Sequence, residues 1–207
     1  AWSILLLLLM VVWGARLAIQ IFGRNSGREQ EPYATWRTRM GRRWIWWSIY
    51  QVYLLQGTML WFWCASFAFA FTAPAPQGWT VAAVGAVAWL IGFVFQAGGD
   101  MQVERFRRDP ANRGKLVQTG LWSLSRHPNY FGEAMMWWGY FIFALAHPFG
   151  LIAIVSPIYV TWFMGYGSAT PFKERHMRRT RPDYAAYAAR VPMFWPWPLT
   201  RPSRQGG

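Results

Sequence analysis

The chain has 207 residues, of which 54 % are hydrophobic, 19 % aromatic and only 14 % charged, against about 25 % charged in a soluble protein. This composition excludes a disordered chain and a coiled coil, and a single cysteine, Cys64, excludes a disulfide scaffold. Twenty-one Lys and Arg against eight Asp and Glu leave a formal charge of +13, which by itself would suit nucleic acid, anionic lipid or a phosphorylated ligand.

Five stretches are long, apolar and nearly free of charge: roughly Trp2–Phe22, Trp46–Thr72, Gly78–Gly98, Ala134–His147 and Gly150–Ser168. A bilayer-spanning helix needs about 20 such residues. The first, second, third and fifth reach that length. The fourth is short unless it starts near Tyr130, which draws Glu133 into the membrane edge. The mean hydropathy of only +0.09 averages these stretches with the basic segments between them. As a soluble protein, five such helices would leave no polar surface. The expected fold is therefore an all-α, polytopic membrane helical bundle of about five transmembrane helices with further interfacial helices. Residues 1–200 form a single membrane-embedded domain, and 201–207 a flexible tail. Nucleic acid is not an expected partner, and no metal site is expected.

The basic residues alternate along the chain. Arg24, Arg28, Arg37, Arg39, Arg42 and Arg43 follow the first stretch, and none lies in the connection around residues 73–77. Arg105, Arg107, Arg108, Arg113, Lys115 and Arg126 follow the third; none lies around residues 147–149. The tail carries Lys173, Arg175, Arg178, Arg179, Arg181, Arg190, Arg201 and Arg204. By the positive-inside rule the basic segments, and with them the C-terminus, face the cytoplasm. Nineteen Arg against two Lys suggest a GC-rich genome and a bacterial plasma membrane. Ala1 opens straight onto an aliphatic run, with no initiator Met and no visible signal peptide. The expectation is that further residues, amounting to one or two helices, precede it, with cleavage after insertion as the competing explanation. Pro and Gly mark segment ends: Pro74, Pro76 and Gly78, then Pro148 and Gly150.

All eight acidic residues, with His127 and His176, fall in the basic segments, so a catalytic site should open on that face. Arg16 lies about six residues inside its stretch, roughly 9 Å at 1.5 Å per residue; an ionisable group there is either functional or snorkelling to the interface. Gln96 and Asp100 share a helix face, and Arg107 returns to it seven residues later. The densest stretch is Gly120–Glu133, GLWSLSRHPNYFGE. Pro128 biases His127 away from the helical region, crowding Arg126, His127, Asn129, Tyr130 and Glu133 together. Arg and His there can meet phosphate or carboxylate; the plainer reading is an interfacial anchor with Trp122 and Tyr130 as its aromatic belt. Met177, Tyr184, Tyr187 and Val191 recur through the tail as one face of an amphipathic surface helix.

Gly120–Glu133, followed by Met136–Gly139, resembles the signature of the steroid 5α-reductase C-terminal-domain family, and more narrowly its bacterial DUF1295 branch. Thr170, Pro171, Glu174, Arg181, Pro182, Tyr184, Tyr187, Phe194, Pro196 and Trp197 fit the same branch. The resemblance implies a membrane reductase that binds NADPH within its bundle and passes hydride to a carbon–carbon double bond conjugated to a ketone in a lipid substrate. The family's cofactor contacts fall on Asn25, Gln96, Asp100, Arg107, Asn129, Glu133 and His176. Arg16 matches an early arginine, and Arg126, His127 and Tyr130 join the candidate cofactor-binding set. Trp13 stands where the family carries a carbonyl-polarising Tyr, so the catalytic group is not assigned. R-H-P-x-Y is shared with S-adenosylmethionine-dependent membrane methyltransferases of the isoprenylcysteine type. The alternatives are therefore such a methyltransferase, or a non-catalytic lipid-binding or structural subunit of a membrane complex.

Overall fold

The structure, a computed structural model, describes residues 2–25, 33–74 and 79–197. The candidate tail 201–207 and the Asn25 side chain lie outside the described residues. The chain divides into two compact units, 1–65 and 66–207.

The first unit opens with α1 (Trp2–Asn25), 24 residues, or about 36 Å of helix. Leu7, Leu8, Val11, Val12 and Phe22 are exposed along it, an apolar surface suited to lipid rather than water. A helical run of 40 residues, Tyr33–Thr72, follows. It comprises α2 (Tyr33–Met40), α3 (Trp44–Ser48), α4 (Gln56–Trp63) and α5 (Ala65–Thr72), with a π-helical stretch at Ile49–Leu55; α5 from residue 66 on belongs to the second unit. Gly41 joins α2 to α3 with φ +54°, a left-handed conformation that costs glycine little. Tyr33, Trp36, Trp47 and Trp44 contact one another in sequence, edge-on or tilted, at centroid separations of 5.8, 5.0 and 5.6 Å.

The second unit is built on α6 (Thr80–Arg108) and α7 (Pro128–Ala144), which run antiparallel in close contact. Their proximity comes from mid-helix glycines that the sequence reading left without a role. Gly85, Gly92 and Gly99 recur every seven residues on α6, as Gly132 and Gly139 do on α7, and seven residues are close to two helical turns. A Cβ at Gly92 would lie 2.6 Å from the Gly132 carbonyl, and one at Gly139 2.8 Å from the Gly85 carbonyl. With no side chain between them the backbones touch, as at small-residue interfaces in membranes. Around this seam Met136, Tyr140, Phe143 and Ala144 have no exposed surface. The Phe67 ring meets Tyr140 and Trp137 at 4.7 and 5.2 Å.

After α7 come α8 (Val155–Trp162), a π-helical turn at Phe163–Gly167, α9 (Ala169–Thr180) and α10 (Tyr184–Arg190). The tail is thus two helices where one was expected. Arg181 leaves the helical region with ψ 104°, as a residue before Pro182 tends to do. Nor does the apolar face point outward: Tyr184, Tyr187 and Val191 are buried, and Met177, Ala188 and Leu116 of the α6–α7 connection pack against them.

Among the described residues, Trp2–Gly23, Tyr33–Thr72, Thr80–Arg108 and Gly150–Thr180 are long and apolar enough to cross a membrane. The remaining expected span is α7, 17 residues long. It begins at Pro128 rather than Ala134, which brings Glu133 into the helix. The protein is an all-α, multi-pass membrane helical bundle.

Candidate functional site

Because α6 and α7 touch, polar side chains next to the glycines meet across the seam. The Gln96 amide donates to Glu133 Oε2. The Trp137 indole N–H, one turn along α7, donates to Glu133 Oε1 at 2.9 Å. Four residues along each helix, Asn129 Nδ2 donates to Asp100 Oδ1 at 2.9 Å. Gln96 and Glu133 are 4 % and 7 % exposed. An unpaired carboxylate at that depth would be costly, and two donors offset the cost. The structure thus brings together Gln96, Asp100, Asn129 and Glu133 as a two-rung ladder of amides and carboxylates. Arg126, crowded near Glu133 in the sequence, pairs instead with Glu174. Arg107 lies seven residues beyond Asp100 on α6 and is exposed.

The turn leading into α7 is set by Gly120 and Pro128. Gly120 has φ +62°, and a Cβ there would lie 2.7 Å from Gln102 Nε2. The Leu121 N–H donates to Gln102 Oε1 at 3.0 Å, and the Trp122 indole donates to the Gly99 carbonyl at 3.0 Å. Pro128 takes the first helical position, where a missing N–H is harmless, and leaves His127 outside the helix at φ −136°, ψ 59°. The C-terminal segment straps this turn. Arg126 N–H donates to the Pro192 carbonyl at 2.9 Å, Trp197 N–H to the Leu124 carbonyl at 3.2 Å, and Ser125 Oγ to the Phe194 carbonyl at 2.9 Å.

Arg126 and His127 converge on Glu174 of α9. Arg126 Nη1 lies 3.1 Å from Glu174 Oε2, and His127 Nε2 lies 2.9 Å from Oε1. The Tyr184 hydroxyl donates to the same Oε1, and Arg178 Nη2 approaches Oε2 at 3.7 Å. Tyr130 stacks on His127 at 5.5 Å with the planes 9° apart. Glu174 lies in the charged C-terminal part of the Gly150–Thr180 run, in α9, past its apolar residues, which end at Ser168. Burial pushes its carboxyl up, but hydrogen bonds from His127 and Tyr184 and the charge of Arg126 outweigh that and hold it below its ordinary value. Burial and the neighbouring carboxylate push the Tyr184 phenol up.

Glu174 joins this cluster although the sequence did not mark it as a candidate site residue. Its Thr-Pro-x-x-Glu setting was visible, but nothing in that spacing ties it to a turn 47 residues earlier. His176, two residues on, is exposed on α9. Trp13 and Arg16 stand three positions apart on α1, both partly buried. Asn25 ends that helix.

The family model described as Protein of unknown function (DUF1295) matches residues 1–191. The chain belongs to the DUF1295 family. The match ends one residue after α10, so the ladder, the Arg126–His127 turn and Glu174 all fall within it. No solved structure matches this DUF1295 protein. Chemically, its site pairs hydrogen-bonding carboxylates and amides in a dry seam with a donor-rich, positively charged cluster at the basic end of α7. The first suits hydroxyl and carboxamide groups, and the second suits anions.

Proposed function

We propose that this protein is an NADPH-dependent reductase of a conjugated carbon–carbon double bond in a membrane lipid, a steroid- or isoprenoid-like enone. The observation that carries the reading is the Gln96–Glu133 and Asp100–Asn129 ladder, held in an apolar seam that a structural role would fill more simply with aliphatic side chains. In this reading the basic segments and the C-terminus face the cytoplasm, where the cofactor is found, and the protein sits in a bacterial plasma membrane.

The residues present fit a nicotinamide dinucleotide in part. Asn129 and Glu133 offer an amide and a carboxylate to a carboxamide or ribose hydroxyls, and the exposed guanidinium of Arg107 is available to phosphate. Arg126 and His127 are engaged by Glu174, so their use toward phosphate requires that carboxylate to move. NADPH, when bound, supplies hydride. The chain's own contribution is to orient that cofactor and to exclude water by burying Gln96 and Glu133. The developing enolate oxygen needs a donor, and no residue is assigned that role, because Trp13 occupies the position of the family's tyrosine and indole is a poor proton source.

Calorimetric titration of the detergent-solubilised protein with NADPH, NADH and S-adenosylmethionine tests the reading. NADPH should bind more tightly than NADH, since its 2′-phosphate adds about two negative charges facing an Arg-rich surface. Equal affinities for the two, or binding of S-adenosylmethionine alone, would move the assignment to a lipid methyltransferase. Binding of none of the three would leave a non-catalytic membrane subunit.

A further inference from the structure

The cluster around Glu174 does not balance. Arg126 is 9 % exposed, yet its Nε has no hydrogen-bond partner among the described residues, and its Nη1 meets Glu174 as an ion pair outside hydrogen-bond geometry. The buried Arg126 and the half-exposed Arg178 face one carboxylate. That carboxylate already serves His127 and Tyr184. A guanidinium carries five donors, and leaving them unmet in a buried place is costly. The site is thus short of acceptor oxygens and of negative charge. A phosphate brings three strong acceptors and close to two charges.

The helix carrying Glu174 is lightly held. Of α9, only Thr170 and Glu174 are buried, while Phe172, Lys173, Arg175 and His176 are exposed. It is bounded by the π-helical turn at Phe163–Gly167, where Ser168 N–H reaches back to the Phe163 carbonyl at 3.2 Å, and by the break at Pro182. Wide turns of this kind are frequent at functional sites and are places where helices kink. By contrast α10 is anchored: the Tyr187 hydroxyl donates to the Trp122 carbonyl at 2.6 Å, and its rings pack on Leu116. Movement of α9 can therefore free the cluster while α10 and the C-terminal strap stay in place.

We infer that Arg126, His127 and Arg178 form a site for a phosphate or pyrophosphate group, and that Glu174 is a built-in counter-ion occupying it until such a ligand displaces the carboxylate and releases α9. This deepens the reductase reading, since a dinucleotide is one source of that group; a phospholipid headgroup is the other. Glu174 competes directly with the ligand, so the closed state lowers apparent affinity by the fraction of time the site is shut.

The test uses the full chain in detergent, with calorimetry and amide hydrogen exchange. The probes are inorganic pyrophosphate, NADPH and a short-chain phosphatidic acid. Glu174→Gln keeps the side-chain shape and removes the charge; it should bind pyrophosphate about tenfold more tightly, as expected when a site closed nine-tenths of the time is opened. Tyr184→Phe removes one hydrogen bond to Glu174 and keeps the ring over which Arg126 lies. It should tighten pyrophosphate binding by a smaller factor, and it decides the matter alone if Glu174→Gln does not fold. In the wild type, pyrophosphate should speed exchange across 169–180 and slow it across 124–127. No pyrophosphate binding, affinity unchanged or weaker in the variants, or exchange of α9 indifferent to pyrophosphate would overturn the inference. NADPH binding that ignores both variants would overturn it and leave the reductase reading standing. Pyrophosphate binding that responds as expected, without NADPH binding, would uphold the site and remove that reading. A response to phosphatidic acid in place of NADPH would identify a lipid headgroup as the source.

Discussion

Gln96 and Glu133 face each other across a helix seam so close that neither Gly92 nor Gly132 has room for a methyl group. The glycines allow the helices to touch, and that contact sets an amide against a carboxylate far from water. Either residue alone would be an expensive buried polar group; together with Trp137 they are satisfied.

If Glu133 also serves a cofactor, its charge matters beyond the fold. Glu133→Gln should weaken NADPH binding by about 1.5–3 kcal/mol, the range for a hydrogen bond to a charged group, with little loss of folded protein. Calorimetry paired with a thermal melt separates the roles. Unchanged affinity with a lowered melting temperature would make Glu133 structural only.

The seam itself predicts a contrast among glycines. Gly92→Ala should cost about 1–3 kcal/mol by overpacking, because its Cβ would press on the Gly132 carbonyl at 2.6 Å. At Gly14 and Gly57 nothing lies within 4 Å of an added Cβ, and alanine there should be neutral or stabilising by about 0.5–1 kcal/mol. Thermal melts of the three variants in one detergent read this directly. Equal effects at all three would show that the seam is not the tight contact described.

Topology is open to labelling. In a background where Cys64 is replaced by alanine, single cysteines at Pro74 and Arg175 should react with an impermeant maleimide from opposite sides of the membrane, since the first lies in a connection without basic residues and the second in the basic tail. Reaction of both from one side would reject the orientation.

The Glu174 carboxyl is held below its ordinary value of 4.5. A group depressed in the folded state contributes stability that is fully present above its unfolded value and lost as pH falls through the folded one. The wild type should therefore keep its melting temperature from neutral pH down to about 4.5 and lose stability below it, as Glu174 is protonated. Glu174→Gln, measured in parallel, should show a flatter profile over the same acid range. Identical profiles would mean that Glu174 does not link protonation to stability.

The helical bundle was legible because a span is a local property: some twenty apolar residues must satisfy their own backbone in lipid, and charge placement marks the ends. The shared faces of Gln96 with Asp100 and of Asn129 with Glu133 were legible for the same reason, since a spacing of four fixes a helix face. The tail was read less well. Its apolar positions were correct, but the break at Pro182 and the packing of Tyr184 and Tyr187 on Leu116 turned an expected membrane face into an internal one.

What the sequence determined by itself was the family, the apolar helices and which polar residues share a helix face. Only the tertiary structure decided who meets whom. Glu133 could equally have paired with Arg126; the glycine seam brought Gln96 to it instead. Arg126 turned to Glu174, 48 residues away: Pro128 starts α7 and leaves Arg126 and His127 in the preceding turn, which the C-terminal strap also binds. Such pairings depend on the register between helices, and side-chain spacing along one helix carries no information about the register of the next.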